Sequence, residues 1–142
     1  MSFSNLQDLY KQVILDHSKN PRNYGELNKK YKLEMLNPSC GDKITISMDI
    51  ENNIINDIKF VGTGCSISLA SASMLTQEIK GLSVEQAHVK IENFLNMIMG
   101  ADYDSEQLED SVALENISKL PARVKCATLA WKISEKILDE EK

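Results

Sequence analysis

The chain begins with a pattern of apolar residues that predicts a helix. Apolar side chains recur at intervals of three and four residues from Leu6 to Ile14, which is the spacing of one face of an α-helix. The helix is expected to end before Asn20 and Pro21, because the residue that precedes a proline avoids the helical region of backbone conformation.

The pattern then changes to strict alternation, which predicts β-structure. Residues 44–50 alternate apolar and polar side chains, the period of a half-buried strand. Residues 51–53 are typical of a turn, and residues 54–61 form a second β-rich run, so that the two runs are predicted to form a hairpin. Residues 31–36 are expected to add a third strand.

The second half of the chain has the spacing of helices. Residues 66–80 are rich in Ser and Ala and predict a helix, packed closely on the sheet, that ends at Gly81. A further helix is expected to begin after Ser83 and to stop near Gly100. Pro121 suits the first turn of a last helix, because its missing N–H is not needed there.

Composition and charge narrow the class of protein. A chain of 142 residues with 42% hydrophobic and 26% charged residues is expected to be a single soluble domain over residues 1–142. A net charge of −5 argues against a nucleic-acid partner. No apolar run approaches the roughly 18 residues of a membrane span. No signal peptide is visible, so we expect a cytoplasmic protein without membrane association.

Residues 102–115 contain six acids and no base, and are predicted to form a solvated loop or a polar helix face.

The three cysteines are the residues most suggestive of chemistry. Disulfides are rare in a reducing compartment, so an odd number of cysteines there directs attention to thiolate chemistry. Cys40 and Asp42 flank Gly41 in a turn before a predicted strand, where glycine lets the backbone bend so that both side chains can point to one centre. Cys65 lies at a strand-to-helix junction, where helix N–H groups favour a thiolate.

The third cysteine, Cys126, lies early in the last predicted helix with Arg123 and Lys125 nearby. Basic neighbours are expected to lower the pKa of its thiol. Three thiolates and one carboxylate make a complete tetrahedral set for zinc, and three thiolates with another ligand could also hold an iron–sulfur cluster. The spacing alone is weak support, because a single cysteine in an apolar helix is more often a small core residue.

Four motifs, in order along nearly the whole chain, resemble those of the IscU/NifU-like iron–sulfur cluster assembly proteins. They are LDH at 15–17 with NPRN at 20–23, CGD at 40–42, GCSIS at 64–68 and VKCATLAW at 124–131. Within that family the chain is most similar to the SufU-type branch of Gram-positive bacteria. Lys125 stands where IscU-type scaffolds have a histidine, and the segment between the second and third cysteines is longer than in those scaffolds.

The resemblance implies a fold, a metal site and a reaction. It implies an α+β fold, IscU/SufU-like, with a small antiparallel β-sheet, helices packed on one face and a metal site at an exposed end. It implies Cys40, Asp42, Cys65 and Cys126 as zinc ligands. Cys40 would also be the catalytic residue, which accepts sulfur as a persulfide from a SufS-type cysteine desulfurase and passes it on to downstream cluster assembly proteins.

Three functions are compatible with these residues. The first is a zinc-dependent sulfurtransferase that stimulates a cysteine desulfurase. The second is a scaffold that assembles and transfers an iron–sulfur cluster on the same side chains, and Lys125 speaks against it because lysine cannot ligate iron as a histidine could. The third is a structural zinc module, which Asp42 argues against, because structural zinc sites usually use Cys and His. Arg123 and Lys125 are candidate contacts for a persulfide or a partner, or else ordinary helix-surface charges.

The two histidines are expected to have no part in the metal site. His17, at the end of the first predicted helix, is expected to cap or to pack, and His88 is expected to lie at the surface.

Overall fold

The computed structural model describes residues 3–141 and has the elements that the periodicity predicts. In chain order they are helix α1 (Phe3–Lys19), strands β1 (Tyr31–Asn37), β2 (Asp42–Glu51) and β3 (Ile54–Thr63), helices α2 (Ser66–Ile79) and α3 (Val84–Ile98), two 3-10 segments (Ser105–Gln107 and Asp110–Lys119), and helix α4 (Pro121–Glu141). The predicted third strand is β1, and Pro121 opens the last helix as expected. No described helix combines the length and the apolar character that a membrane crossing requires.

The three strands form one antiparallel sheet in the order β1-β2-β3. Asn52 and Asn53 make the two-residue turn between β2 and β3 with φ angles of 53° and 66°, the conformation of a hairpin turn that matches the twist of the strands. Ile44, Ile46 and Met48 are fully buried and form the face of the sheet that the helices cover. The α+β fold with helices on one face is therefore confirmed.

The helical layer is built around the only tryptophan of the sequence. Trp131 on α4 is fully buried and stacks on Phe94 of α3 with ring centroids 3.9 Å apart. Its indole N–H donates to the hydroxyl of Ser71 on α2 at 2.9 Å. Small residues on α2, of which Ala70, Ser71 and Ala72 are fully buried, let α4 approach closely and so place its first turn beside the sheet.

The acidic segment is more ordered than a solvated loop. The acids at 102, 104, 106, 109 and 110 are exposed, as predicted. The Asp110–Lys119 segment nevertheless buries Ala113, Leu114 and Ile117 in the core. The prediction for residues 102–115 is based on their charge, which gives no information about the apolar residues that face the core.

A buried carboxylate ties this segment to the helical layer. Glu78 on α2 is 3% exposed and accepts hydrogen bonds from the backbone N–H of Ser111 at 2.7 Å, the Ser111 hydroxyl at 2.9 Å and the backbone N–H of Glu109 at 3.2 Å. The segment begins without a side-chain cap of its own, so Glu78 supplies the acceptor that an N-terminal cap would provide.

We expect Glu78→Ala to lower the free energy of unfolding by about 2–4 kcal/mol, because it leaves the buried N–H and hydroxyl donors of Ser111 without a partner. Denaturant unfolding followed by Trp131 fluorescence measures this change. Glu92→Ala on the exposed face of α3 is the matched control and should change stability by less than about 0.5 kcal/mol. Equal stability of the two variants would contradict the capping role of Glu78.

The histidines differ from each other in their environment. His17 is fully buried and joins α1 to α2 and to the acidic segment, with hydrogen bonds of 2.8 Å to Ser73 Oγ and 2.8 Å to Asp110 Oδ2, so the prediction that it packs is confirmed. His88 is expected at the surface, and the structure bears this out only in part. Its side chain is 21% exposed and lies 3.6 Å from Asp139, because α4 covers this part of α3.

Candidate metal centre

Cys40 and Asp42 lie at the turn between β1 and β2. Asn37, the last residue of β1, stands directly opposite Asp42, the first residue of β2, and the backbone N–H of Cys40 donates to the carbonyl of Asn37 at 3.3 Å. Gly41 has a φ of +72°, which L side chains rarely adopt. The turn therefore leaves Cys40 partly exposed and directs the nearly buried Asp42 inward.

The junction of β3 and α2 brings the second cysteine to the same end of the sheet. Cys65 is the N-cap residue of α2, and its backbone N–H donates to Asp42 Oδ1 at 3.1 Å. A side chain at Gly64 would collide with the Asp42 carboxylate. The β3–α2 junction and the β1–β2 turn thus touch through Asp42, and this contact requires glycine at position 64.

The first turn of α4 completes the cluster. Cys126 is 1% exposed, and its sulfur lies 2.9 Å from the Cys40 sulfur. One ligand atom each from Cys40, Asp42 and Cys126 lie within 4.8 Å of one another. The Cys65 sulfur is not a member of this compact group. It lies 3.8 Å from Ser68 Oγ, so three of the four predicted ligands converge and the fourth lies beside them.

Hydrogen bonds hold the Asp42 carboxylate in its charged form. Burial by itself raises the pKa of Asp42, but hydrogen bonds from Ser68, the Cys65 backbone, Cys126 and Asn37 outweigh it and lower the pKa below its ordinary value. A buried carboxylate with this many donors is both ionised and restrained in orientation.

The thiol of Cys126 is affected in the opposite direction. Burial is the main cause that raises its pKa, with hydrogen bonds to Cys40, Asp42 and Cys65 acting in the same direction. The sequence predicted a lowered value from the basic neighbours, and that prediction is wrong, because desolvation outweighs them. Without a cation in the cluster, Cys126 is therefore a neutral thiol at neutral pH.

The two basic residues near Cys126 occupy different positions relative to the cluster. Arg123 is exposed, and its interactions with the thiols of Cys126, Cys65 and Cys40 raise the pKa of its guanidinium. Lys125 is also exposed, and no contact within the described part of the chain joins its ammonium group to a cysteine sulfur. The structure therefore brings Arg123 to the site and leaves Lys125 on the outer surface of α4.

Two residues of the site were missed in the sequence. Asn37 is 4% exposed and Ser68 is 1% exposed. Asn37 Nδ2 donates to Asp42 Oδ2 at 3.1 Å and approaches the Cys126 sulfur at 3.8 Å. Ser68 Oγ donates to the Cys126 carbonyl at 3.3 Å. The available signal was position alone, since each lies three residues from a cysteine.

Comparison with known proteins places the chain in a family. Residues 9–127 match the family model described as the NifU-like N terminal domain. The chain belongs to the NifU-like N terminal domain family.

Relatives within the NifU-like family cover nearly the whole chain. The chain is 52% identical to the zinc-dependent sulfurtransferase SufU of Bacillus subtilis (strain 168), over 99% of this chain and 97% of that protein. It is 39% identical to the iron–sulfur cluster assembly scaffold protein IscU of Streptococcus pyogenes serotype M1, over 92% and 83% of the two chains.

The fold is also similar to that of a solved structure. The structure superposes on the crystal structure of an iron–sulfur cluster assembly scaffold protein for the SUF system, SufU, from Fervidobacterium islandicum AW-1. The TM-score is 0.87 and the identity 33%, covering 93% of this chain and 98% of that one. The α+β architecture predicted from the four motifs is therefore shared with solved members of the family.

Proposed function

We propose that this protein is a zinc-dependent sulfurtransferase of iron–sulfur cluster assembly, which accepts sulfur from a SufS-type cysteine desulfurase. The observation that carries the proposal is the compact group of Cys40, Asp42 and Cys126, in which one thiol is partly exposed and the other is buried. An accessible thiol beside a restrained ligand set suits a reaction in which one ligand leaves the metal. The similarity to the Bacillus subtilis sulfurtransferase supports the same function.

The donor set fits zinc. Thiolate sulfur and carboxylate oxygen are both zinc ligands, and we propose that Cys40, Asp42, Cys65 and Cys126 hold the ion. Bound zinc would keep the three thiols deprotonated and protect them from oxidation. The buried and otherwise neutral Cys126 gains most from this, because a cation offsets the cost of burying the negative charge of its thiolate.

The sulfur transfer itself is a thiol exchange at Cys40. The Cys40 thiolate attacks the outer sulfur of a cysteine persulfide on the desulfurase. The bond between that sulfur and the desulfurase cysteine breaks, the desulfurase cysteine leaves as a thiolate, and Cys40 becomes the persulfide. Cys40 is suited to this step because it is the more accessible thiol of the touching pair and lies in a short turn rather than in a helix.

Arg123 is a candidate for stabilising the anionic persulfide. Its exposed guanidinium already interacts with the sulfurs of the cluster, and a persulfide on Cys40 adds a negative charge in the same place. Lys125 has no such contact, so we propose partner docking as its role. Thiol chemistry of this kind requires a reducing compartment, which supports a cytoplasmic location.

A second candidate function is the iron–sulfur scaffold, because the Streptococcus pyogenes relative carries that name. Cysteine sulfurs can hold a cluster as well as zinc, and Arg123, Val124 and Lys125 offer no further cluster ligand next to Cys126. The freshly purified protein distinguishes the two functions. A colourless protein with one zinc ion per chain supports the transferase, and a brown protein with visible absorbance supports the scaffold.

Turnover of cysteine by the desulfurase, with and without the zinc-loaded protein, tests the proposal. We expect alanine formation to be strongly stimulated by the zinc-loaded protein, because Cys40 removes the persulfide that otherwise blocks the next cycle. The metal-free protein is the control and should stimulate weakly. Equal turnover with and without the zinc-loaded protein would contradict the transferase and lead to anaerobic cluster reconstitution.

A further inference from the structure

Asn37 contacts three of the four proposed ligands. Its backbone carbonyl accepts the N–H of Cys40 at 3.3 Å. Its side-chain Nδ2 donates to Asp42 Oδ2 at 3.1 Å and lies 3.8 Å from the Cys126 sulfur. The side chain is held in place because Asn37 ends β1, pairs with Asp42 across the sheet and is 4% exposed. One buried amide therefore links the β1–β2 turn to the first turn of α4.

The first consequence concerns Asp42. Its Oδ1 accepts the backbone N–H of Cys65 at 3.1 Å, and its Oδ2 accepts the Asn37 amide. Each carboxylate oxygen is thus restrained by a hydrogen-bond donor. Without Asn37, Oδ2 would lose its amide donor, and the Cys65 backbone, Ser68 and Cys126 would be left to orient the carboxylate.

The second consequence is a difference between the two touching thiols. The Cys126 sulfur is approached at 3.8 Å by the Asn37 amide, which is an N–H donor. The Cys40 sulfur contacts the Cys126 sulfur at 2.9 Å and the Ala122 carbonyl at 3.7 Å, and within residues 3–141 no N–H hydrogen bond to it is observed. N–H donors that surround a ligand sulfur restrain it and balance its charge.

We propose that Asn37 is the positioning residue that makes this metal centre asymmetric, because it holds Asp42 and Cys126 in place and leaves Cys40 as the ligand that departs. The proposal rests on the proposed zinc-dependent function and names the residue that decides which thiol reacts. Asn37 does not touch the transferred sulfur. It acts through the orientation of the ligands.

The test compares the wild-type protein with Asn37→Ala and Asn37→Leu, the second of which refills the space of the amide without its donors. Asn56→Ala, an exposed asparagine on β3, is the matched control. Competition with a chromophoric chelator should show zinc binding weakened about 10–100-fold in both Asn37 variants, the usual effect of removing an outer hydrogen-bond partner of a metal site. Asn56→Ala should bind zinc as the wild type does.

Two further readouts separate positioning from a loss of stability. In the cobalt-substituted protein, the Asn37 variants should shift the absorption bands that report ligand geometry, and Asn56→Ala should not. In the zinc-loaded protein, alkylation by iodoacetamide with peptide mass spectrometry should label Cys40 much faster than Cys126, and the ratio of the two rates should fall toward one in the Asn37 variants.

The outcomes are distinguishable from a failure of the proposed function. Unchanged zinc affinity, cobalt spectrum and labelling ratio in Asn37→Leu, with a wild-type protein that binds zinc and stimulates the desulfurase, would overturn the role of Asn37 and leave the function standing. A wild-type protein that does not bind zinc would overturn both. If Asn37→Ala does not fold, the volume-conserving Asn37→Leu variant decides the question.

Discussion

Cys40→Ala is expected to abolish the stimulation of a cysteine desulfurase while retaining the fold and part of the zinc affinity. Cys40 is the partly exposed thiol of the cluster and lies in the short turn before β2, so its side chain contributes little to packing. Three proposed ligands remain in the variant, and water can occupy the fourth position of a zinc ion. Desulfurase turnover and zinc content, measured on the same preparation, check both parts of the prediction.

The matched variant is Cys126→Ala. Cys126 is 1% exposed and lies on α4 against the sheet, so its loss should lower zinc content and stability together. A Cys40→Ala protein that still stimulates the desulfurase would show that another thiol accepts the sulfur. A Cys40→Ala protein that loses metal and fold as fully as Cys126→Ala would show that Cys40 is a structural ligand.

Gly64→Ala is expected to weaken zinc binding about 10–100-fold, the range observed when the support of a metal ligand is removed. A methyl group at this position would collide with the Asp42 carboxylate. The two oxygens of this carboxylate already accept hydrogen bonds from the Cys65 backbone and the Asn37 amide. Asp42 would have to rotate out of the cluster to accommodate it. Zinc competition and desulfurase stimulation should fall together.

The control for this variant is Gly41→Ala in the neighbouring turn. A methyl group at Gly41 would meet open space, but the backbone there has a φ of +72°. Alanine should therefore cost about 1–2 kcal/mol of stability through backbone strain. Its zinc affinity should remain closer to that of the wild type than the affinity of Gly64→Ala. The reverse order of the two affinities would contradict the steric role of Gly64.

The site separates the ligands that hold the metal from the ligand that reacts. Asp42 and Cys126 are buried and hydrogen-bonded. Cys40 is partly exposed, and its contacts among residues 3–141 run through its backbone, the Cys126 sulfur and the Ala122 carbonyl. Restrained ligands keep a metal in place during a reaction. An accessible ligand in a turn can leave and return, which sulfur transfer requires.

The helices and strands were predictable from the sequence because their signals are local. Alternation in residues 44–50 and the two asparagines at 52 and 53 identify a hairpin without knowledge of its neighbours. Cys40 and Asp42 were also predictable as a pair, because only Gly41 separates them. The grouping of Cys126 with them rested on the resemblance to a family, because the two cysteines are 86 residues apart and meet only when α4 packs on the sheet.

The tertiary structure alone decided which polar residues support the site and how the ionisable groups behave. Asn37, Ser68 and Glu78 are ordinary residue types whose roles depend on partners far along the chain. Asn37 and Cys126, for example, are 89 positions apart. Nearby bases predicted a lowered pKa for Cys126, and burial raised it instead. The sequence by itself determined the helices and strands, because these depend on neighbouring residues. It also determined the kinds of donor atom, because these depend on residue type. Packing decided which residues are buried, which hydrogen-bond partners they have and which thiol is the more accessible, because these depend on which surfaces exclude water together.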